Sequence, residues 1–180
     1  LYIVATPIGN LGDITFRGLW NLKEAHVIYA EDTRVVAKLL THYGLRTPVH
    51  RLDAATEGQK SKEIAKRLMK GEHVALVSDA GTPGISDPGA RLVAYIREHV
   101  PEAKIDAIPG PSALTAVLSI AGLPTDAFTF LGFLPHKKGR QTALRKIAAS
   151  EYLVILYESP HRILKLLSEL GKVDPKARVT

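Results

Sequence analysis

Residues 73–108 have the sequence HVALVSDAGTPGISDPGARLVAYIREHVPEAKIDAI, and this stretch decides the fold. It begins and ends with short apolar runs, at 73–77 and 104–108, that are typical of buried β-strands. The segment between them predicts a helix, because four apolar residues recur on one face: Leu92, Val93, Ile96 and Val100. Two strands joined by a single helix form a βαβ unit, which predicts that the strands are parallel.

The same alternation of strand and helix extends toward the N-terminus. Further strand-like runs lie at 2–5, 26–30 and 49–52, and helical patterns that end at Gly44 and near Gly71 follow the second and third of these runs. Because single helices connect the strands, we expect right-handed crossovers. The sequence therefore predicts an α/β domain whose five-stranded, mostly parallel sheet carries helices on both faces.

A second α/β domain is predicted to begin after residue 122, so that the two domains span 1–122 and 123–180. Gly122 and Pro124 follow a helix of small residues at this point. Two more strand-like runs, at 128–133 and 153–157, and an amphipathic helix that ends at Gly171 come after the boundary. We interpret residues 177–180 as the start of another strand, so the second domain is expected to be incomplete.

The composition limits the classes of function. The 180 residues include no cysteine, which excludes disulfides, thiolate nucleophiles and cysteine-ligated metals and favours a reducing, cytoplasmic location. No apolar run approaches the roughly 20 residues of a membrane helix, so we expect a soluble protein with no membrane partner. The net charge of +6 favours a polyanionic partner.

The loops that follow the strands are the expected ligand-binding region, because ligands bind beyond the carboxyl ends of parallel strands. The glycine-proline loop, residues 78–89, contains three glycines and two prolines and would let the backbone approach a ligand closely. An ordinary turn, with Asp87 capping the next helix, explains the same residues equally well. The loops lack the glycine patterns of dinucleotide-binding and P-loop proteins, and the seven histidines form no metal-binding motif, so no metal is predicted.

Six short motifs occur along the chain: TPIGN at 6–10 with DIT at 13–15, EDTR at 31–34, the glycine-proline loop at 78–89, IPGPSA at 108–113, GFLP at 132–135 and YESPHR at 157–162. Together they resemble the tetrapyrrole methylase superfamily, whose fold is of the class III methyltransferase type. Within it they are similar to the enzymes that methylate the ribose 2′-hydroxyl of a cytidine in small-subunit (16S) ribosomal RNA. Porphyrin-modifying members have a G-x-G-P-G-D first loop, and its absence here favours the RNA branch.

The resemblance implies an S-adenosylmethionine-dependent methyltransferase that forms a homodimer and acts on the RNA of the 30S subunit. Through the matching motif positions it implies that eight residues contact the cofactor: Ile8, Asp79, Ala80, Gly81, Ile85, Ser112, Ala113 and Glu158. Two alternatives stay open, namely a methyltransferase of tetrapyrroles (porphyrins or corrins) and a non-catalytic nucleotide-binding module.

Methyl transfer to a ribose hydroxyl is helped by a base that accepts the proton. Four acidic residues lie in the loops at strand ends: Asp13, Glu31, Asp32 and Asp87. We favour Asp87 or Asp32 as the catalytic group, although both also suit the role of a helix cap.

Positive charge is concentrated at 136–146 and again at 161–162, and Arg34 follows the second strand. We predict RNA contacts for five residues: Arg34, Lys137, Lys138, Arg140 and Arg162. A solvated helix face accounts for the same charge, and Arg34 equally suits an ion pair with Glu31 or Asp32.

Overall fold

Seven β-strands and seven α-helices alternate along the chain in a computed structural model that describes residues 1–180. The first nine elements are β1 (Tyr2–Val4), α1 (Phe16–Glu24), β2 (Val27–Ala30), α2 (Thr33–His42), β3 (Val49–Arg51), α3 (Glu57–Met69), β4 (Val74–Val77), α4 (Ala90–His99) and β5 (Asp106–Ile108). The remaining five are α5 (Ala113–Ile120), β6 (Phe128–Phe133), α6 (Arg140–Ala148), β7 (Leu153–Tyr157) and α7 (Ile163–Val173). None of the seven helices combines the length and the apolar character that a membrane-spanning helix requires.

The chain divides into two compact units, Leu1–Ala113 and Leu114–Thr180. This division lies earlier in the chain than the predicted domain boundary after residue 122, because the apolar side of α5 packs with the second unit. Side chains of α5, β7 and α7 line a common apolar groove of about 510 Å³, among them Val117, Leu118, Ile155 and Leu166.

The first unit contains a five-stranded sheet in the order β3-β2-β4-β1-β5. Every neighbouring pair of strands in it is parallel, which confirms the predicted sheet. Strand β1 lies between β4 and β5, where Tyr2 is opposite Ala75 on one side and Asp106 on the other. The carboxyl ends of all five strands therefore meet at one edge, and the loops that follow them lie side by side.

The sheet separates two hydrophobic cores. On one face Leu22 of α1 and Leu39 of α2 belong to a cluster with Ile28, and on the other Ile64 of α3 belongs to a cluster with Tyr29. Ile28 and Tyr29 are adjacent in β2 and point to opposite faces, because side chains alternate along a strand. Strands β2 and β4 are buried throughout, which explains their continuous apolar sequences. The predicted helices on both faces are thus confirmed.

The second unit contains the parallel pair β6 and β7 and a small core formed by Leu134, Leu144 and Leu166. The prediction of a strand beginning at 177 is wrong. The Ala177 N–H donates to the Asp174 carbonyl (3.2 Å), so the chain turns after α7, and a strand forms only where a neighbouring strand accepts its hydrogen bonds.

Candidate active site

The loop after β1 and the glycine-proline loop after β4 are joined by backbone hydrogen bonds. The Thr6 N–H donates to the Gly81 carbonyl (2.9 Å), and the Gly81 N–H donates to the Thr6 carbonyl (3.0 Å). The Thr6 hydroxyl donates to the Ser78 carbonyl at 3.0 Å. Thr6 is buried, and these three bonds fix the first half of the glycine-proline loop against the first loop. Sequence reasoning did not single out Thr6.

Gly81 lies at the point where three loops meet. Its φ of +82° is a left-handed conformation that favours glycine. A Cβ atom there would lie 3.5 Å from the Ile8 side chain and 3.8 Å from the carbonyl of Pro111. The Thr82 hydroxyl also donates to that Pro111 carbonyl (3.3 Å), so the loop after β5 reaches the same place. The structure therefore brings Ile8 and Gly81 together beside the loop that ends in the predicted contact residues Ser112 and Ala113.

Four of the predicted cofactor residues of the first unit are accessible. Asp79 and Ala80 are exposed directly after β4, and the apolar side chains of Ile8 and Ile85 are 36% and 39% exposed. Exposed apolar side chains beside an exposed carboxylate suit a ligand with both apolar and polar parts.

Three carboxyl groups, Glu31, Asp79 and Asp87, form what we term the acidic rim at the carboxyl ends of β2 and β4. Burial, together with the nearby negative charges of Glu31 and Asp79, raises the pKa of Asp87 to about 6. Burial also raises the pKa of Glu31, with Asp79 and Asp53 contributing in the same direction. Asp87 and Glu31 are therefore stronger bases than ordinary carboxylates.

Asp32 has a different environment from Asp87, although both were candidate catalytic groups. Asp32 is the N-cap of α2 and accepts from the Arg34 backbone N–H at 2.9 Å. The Arg34 guanidinium lies 2.6 Å from the second carboxylate oxygen. Hydrogen bonds from the Arg34 side chain and backbone lower the pKa of Asp32 to about 2. Asp32 is thus a helix cap and a weak base, and Arg34 is its ion-pair partner while remaining largely exposed.

Asp87 does not cap the helix that follows it, so the capping interpretation of this residue is wrong. The N-cap of α4 is Gly89, which has no side chain to accept a hydrogen bond. No hydrogen bond or ion pair involves the Asp87 carboxylate. The acceptor at this helix N-terminus is instead Glu57 of α3, whose Oε1 receives the N–H groups of Gly89 (2.9 Å) and Leu92 (3.1 Å). Asp87 is therefore free to act on a ligand.

The second unit contains a buried group of charged residues around Glu158. The side chain of Glu158 is only 2% exposed, and its Oε1 accepts from Arg162 at 2.7 Å and from the Ser159 N–H at 2.9 Å. Its Oε2 is buried without a hydrogen-bond partner, 3.7 Å from the Arg140 guanidinium. Glu158 thus has one oxygen occupied by the protein and one that still lacks a donor.

Arg140 must be removed from the predicted RNA contacts. Its side chain is 7% exposed, and its guanidinium donates to Glu169 at 2.7 and 2.8 Å and to the carbonyl of Pro135 at 3.3 Å. A guanidinium held in this way has no free face for a phosphate. Arg162 is also occupied, since it contacts Glu158 and the ring of His136. Lys137 and Lys138 are exposed and form no ion pair, so they remain available.

A model of the family described as Tetrapyrrole (Corrin/Porphyrin) Methylases matches residues 1–180. The chain belongs to this family. Within the family, Ribosomal RNA small subunit methyltransferase I of Escherichia coli O157:H7 is 46% identical over 179 residues, which cover 99% of this chain and 62% of that protein. The protein of the same name from Synechocystis sp. is 47% identical over 171 residues, which cover 94% of this chain and 61% of that protein. The chain thus spans about three fifths of the length of these relatives.

Solved structures agree with this membership at the level of the fold. The methyltransferase CobJ superposes with a TM-score of 0.69 at 22% identity, over 96% of this chain and 75% of that chain. Diphthine synthase superposes with a TM-score of 0.66 at 22% identity, over 95% of this chain and 72% of that chain. These similarities confirm the predicted fold class.

Proposed function

We propose that this chain forms part of an S-adenosylmethionine-dependent methyltransferase that modifies the ribose 2′-hydroxyl of a cytidine in 16S ribosomal RNA. The observation that carries the chemistry is the acidic rim, where Asp87 has a raised pKa and no partner within the protein. The choice of substrate is supported by relatives named Ribosomal RNA small subunit methyltransferase I, which match nearly all of the chain. The net charge of +6 is consistent with an RNA partner.

The residues around Gly81 fit the proposed cofactor. The left-handed backbone at Gly81 favours glycine, and a Cβ there would already be in van der Waals contact with Ile8 and the Pro111 carbonyl, so a larger side chain would extend into the space proposed for the ligand. The acidic rim suits the positive charge of a sulfonium. We propose that Ile8, Asp79, Ala80, Gly81, Ile85, Ser112 and Ala113 hold the cofactor. For Glu158 of the second unit, whose Oε2 has no hydrogen-bond partner, a cofactor contact stays the proposal that the family resemblance implies.

Bound S-adenosylmethionine supplies an activated methyl group, and the protein must align the acceptor and remove its proton. We assign proton removal to Asp87. With a pKa of about 6 its carboxylate is mostly ionised at neutral pH, and it is more basic than an exposed aspartate. Asp32 is not suited to this role, because its bonds to Arg34 stabilise the ionised form.

RNA binding is assigned to the cations that the protein leaves accessible. Lys137 and Lys138 are exposed, and Arg34 has a largely exposed guanidinium. Arg162 contributes only the part of its side chain that is not bonded to Glu158. Phosphate contacts of this kind provide affinity without sequence specificity. We further propose that the protein is a homodimer, as the family resemblance implies.

The test is mass spectrometry of nucleosides from 16S ribosomal RNA of cells with and without the natural protein. We expect loss of one 2′-O-methylcytidine on deletion, restoration by the wild-type protein, and failure of restoration by Asp87→Asn. Unchanged methylation on deletion would overturn the RNA assignment, and transfer of methyl groups by the purified protein to a porphyrin or corrin would establish the tetrapyrrole alternative instead.

A further inference from the structure

The two ends of the glycine-proline loop are held by different parts of the protein. At the first end, Ser78 and Gly81 of the loop are bonded to Thr6 of the loop after β1, as described above. The second end is bonded to Glu57, which is 4% exposed and belongs to the first turn of α3. The two N–H groups that it accepts, those of Gly89 and Leu92, lie more than 30 residues away in the chain. Glu57 is therefore the side chain that joins this end of the loop to α3.

Gly89 can occupy only a narrow range of positions. Its φ is +137°, and a Cβ atom would lie 2.9 Å from the Leu76 side chain in β4. Its backbone thus packs directly against the sheet, and its N–H points to Glu57. Between the two ends of the loop the bonding is sparse. Ser86 has a φ of +65°, which is unusual for a residue other than glycine, and Asp87 has no partner.

We infer that Glu57 is a positioning residue that sets the location of Asp87 by accepting the N–H groups of Gly89 and Leu92. Asp87 lies two residues before Gly89, and no bond of its own side chain fixes it. Loss of the Glu57 acceptor would leave two buried N–H groups unpaired and would release this end of the loop. Asp87 would then become more exposed to water and would move relative to the rest of the acidic rim. The catalytic meaning of this inference rests on the proposed function, but the positioning itself does not.

The segment before Glu57 is organised so that this residue is presented at a fixed place. Asp53 accepts from the backbone N–H groups of Ala55 (3.1 Å) and Thr56 (2.9 Å) and from the Thr56 hydroxyl (2.8 Å). These bonds shape the turn that starts α3. The loop after β3 therefore acts on the loop after β4 through one carboxylate, although none of its residues was predicted to contact a ligand.

The chemistry of the contact identifies suitable variants. Both bonds are accepted by one oxygen, so the amide oxygen of Glu57→Gln can replace it with almost unchanged reach. Glu57→Asp keeps the charge but is one methylene shorter, and Glu57→Ala removes the acceptor. Gln59→Ala is the matched control, because Gln59 is an exposed residue of the same helix.

Two measurements on the protein without cofactor or RNA test the inference directly. Hydrogen exchange of the Gly89 and Leu92 amides should accelerate by about tenfold or more in Glu57→Ala and remain near wild type in Glu57→Gln and Gln59→Ala. The carboxyl ¹³C titration of Asp87 should fall from about 6 toward the ordinary aspartate range in Glu57→Ala and stay near 6 in Glu57→Gln. If Glu57→Ala does not fold, Glu57→Asp serves in its place and should show the same changes in smaller degree.

An unchanged Asp87 titration in a folded Glu57→Ala or Glu57→Asp protein would refute the positioning role. In methylation assays Glu57→Ala should lower kcat with little change in the KM for RNA, and Glu57→Gln should keep most of the wild-type kcat. If the protein does not methylate RNA at all, the proposed function fails while the exchange and titration results still decide the role of Glu57.

Discussion

Replacement of Asp87 by asparagine should abolish methyl transfer and yet make the protein more stable at neutral and alkaline pH. Asparagine has nearly the shape of aspartic acid and cannot ionise, so it imitates the protonated carboxyl. In the folded protein burial and the charges of Glu31 and Asp79 oppose ionisation of Asp87, whereas in the unfolded chain water solvates the carboxylate. Ionisation of this residue therefore weakens the folded state.

The size of the effect follows from the pKa of about 6 in the folded protein, against about 3.9 for an unfolded aspartate. Each pKa unit corresponds to about 1.4 kcal/mol, so the ionised group costs the folded state up to about 3 kcal/mol. Solvent screening at this partly exposed carboxyl reduces the expected difference to about 1–2 kcal/mol. Because the folded protein binds this proton more tightly, the contribution of Asp87 to wild-type stability falls as pH rises from about 4 to 6, and the difference between the two proteins is fully developed above pH 6.

Urea unfolding followed by circular dichroism at pH 4 and pH 8 measures this difference. Asp87→Asn should be more stable than wild type at pH 8, and the two proteins should nearly coincide at pH 4. Asp32→Asn is the control with the opposite sign, since the pKa of Asp32 is lowered to about 2 and its ionised form stabilises the fold at pH 8. A destabilised Asp87→Asn protein at pH 8 would show that Asp87 has a structural partner and would refute its assignment as an unpaired base.

Three further predictions concern binding and stability. Gly81→Val should abolish S-adenosylmethionine binding measured by calorimetry. Gly84 has a similar φ of +83°, but a Cβ there would have no neighbour within 4 Å, so Gly84→Val should still bind the cofactor measurably. Equal loss of binding in both variants would argue against the site at Gly81. Replacing Lys137 and Lys138 by alanine should reduce the salt dependence of RNA binding by about two counterions, and an unchanged slope would assign both to a solvated face. Arg140→Ala should instead lower the free energy of unfolding by about 3 kcal/mol, because it removes the buried partner of Glu169 and the cation that lies 3.7 Å from Oε2 of Glu158; unaltered stability would make Arg140 a candidate RNA contact again.

The arrangement of the first unit could be predicted because its signals are local. Buried parallel strands such as β4 are continuous apolar runs, and each is followed by a helix with a periodic apolar face. Because the strands are parallel, the loops that follow them were expected at one edge of the sheet, and this expectation needed no information on residue contacts. Strand ends were less well predicted, since β5 begins at Asp106 rather than at 104. The start of a strand depends on hydrogen bonds to its neighbours, which a single sequence does not contain.

The roles of individual charged residues could not be predicted from charge or spacing. Lys138 and Arg140 are two residues apart in a basic segment, but one is exposed and the other is buried against Glu169, which lies 29 residues farther along the chain. Because Asp87 lies just before α4, the sequence suggested that it caps this helix. In the structure the N–H groups at the start of α4 are instead accepted by Glu57 of α3. In both cases a partner distant in sequence decides the role of the residue.

The carboxylates at the sheet edge differ in function because they differ in the donors they accept. Asp32 and Glu57 both receive backbone N–H groups at helix starts, and Asp32 also receives the Arg34 guanidinium, so these carboxylates hold loops in place. Asp87 receives none of these donors, and burial alone with like charges keeps its proton affinity high. A base that must accept a proton from a substrate needs an oxygen that the protein has not already satisfied. The bonded carboxylates thus provide the rigid frame in which an unbonded carboxylate such as Asp87 can remain reactive.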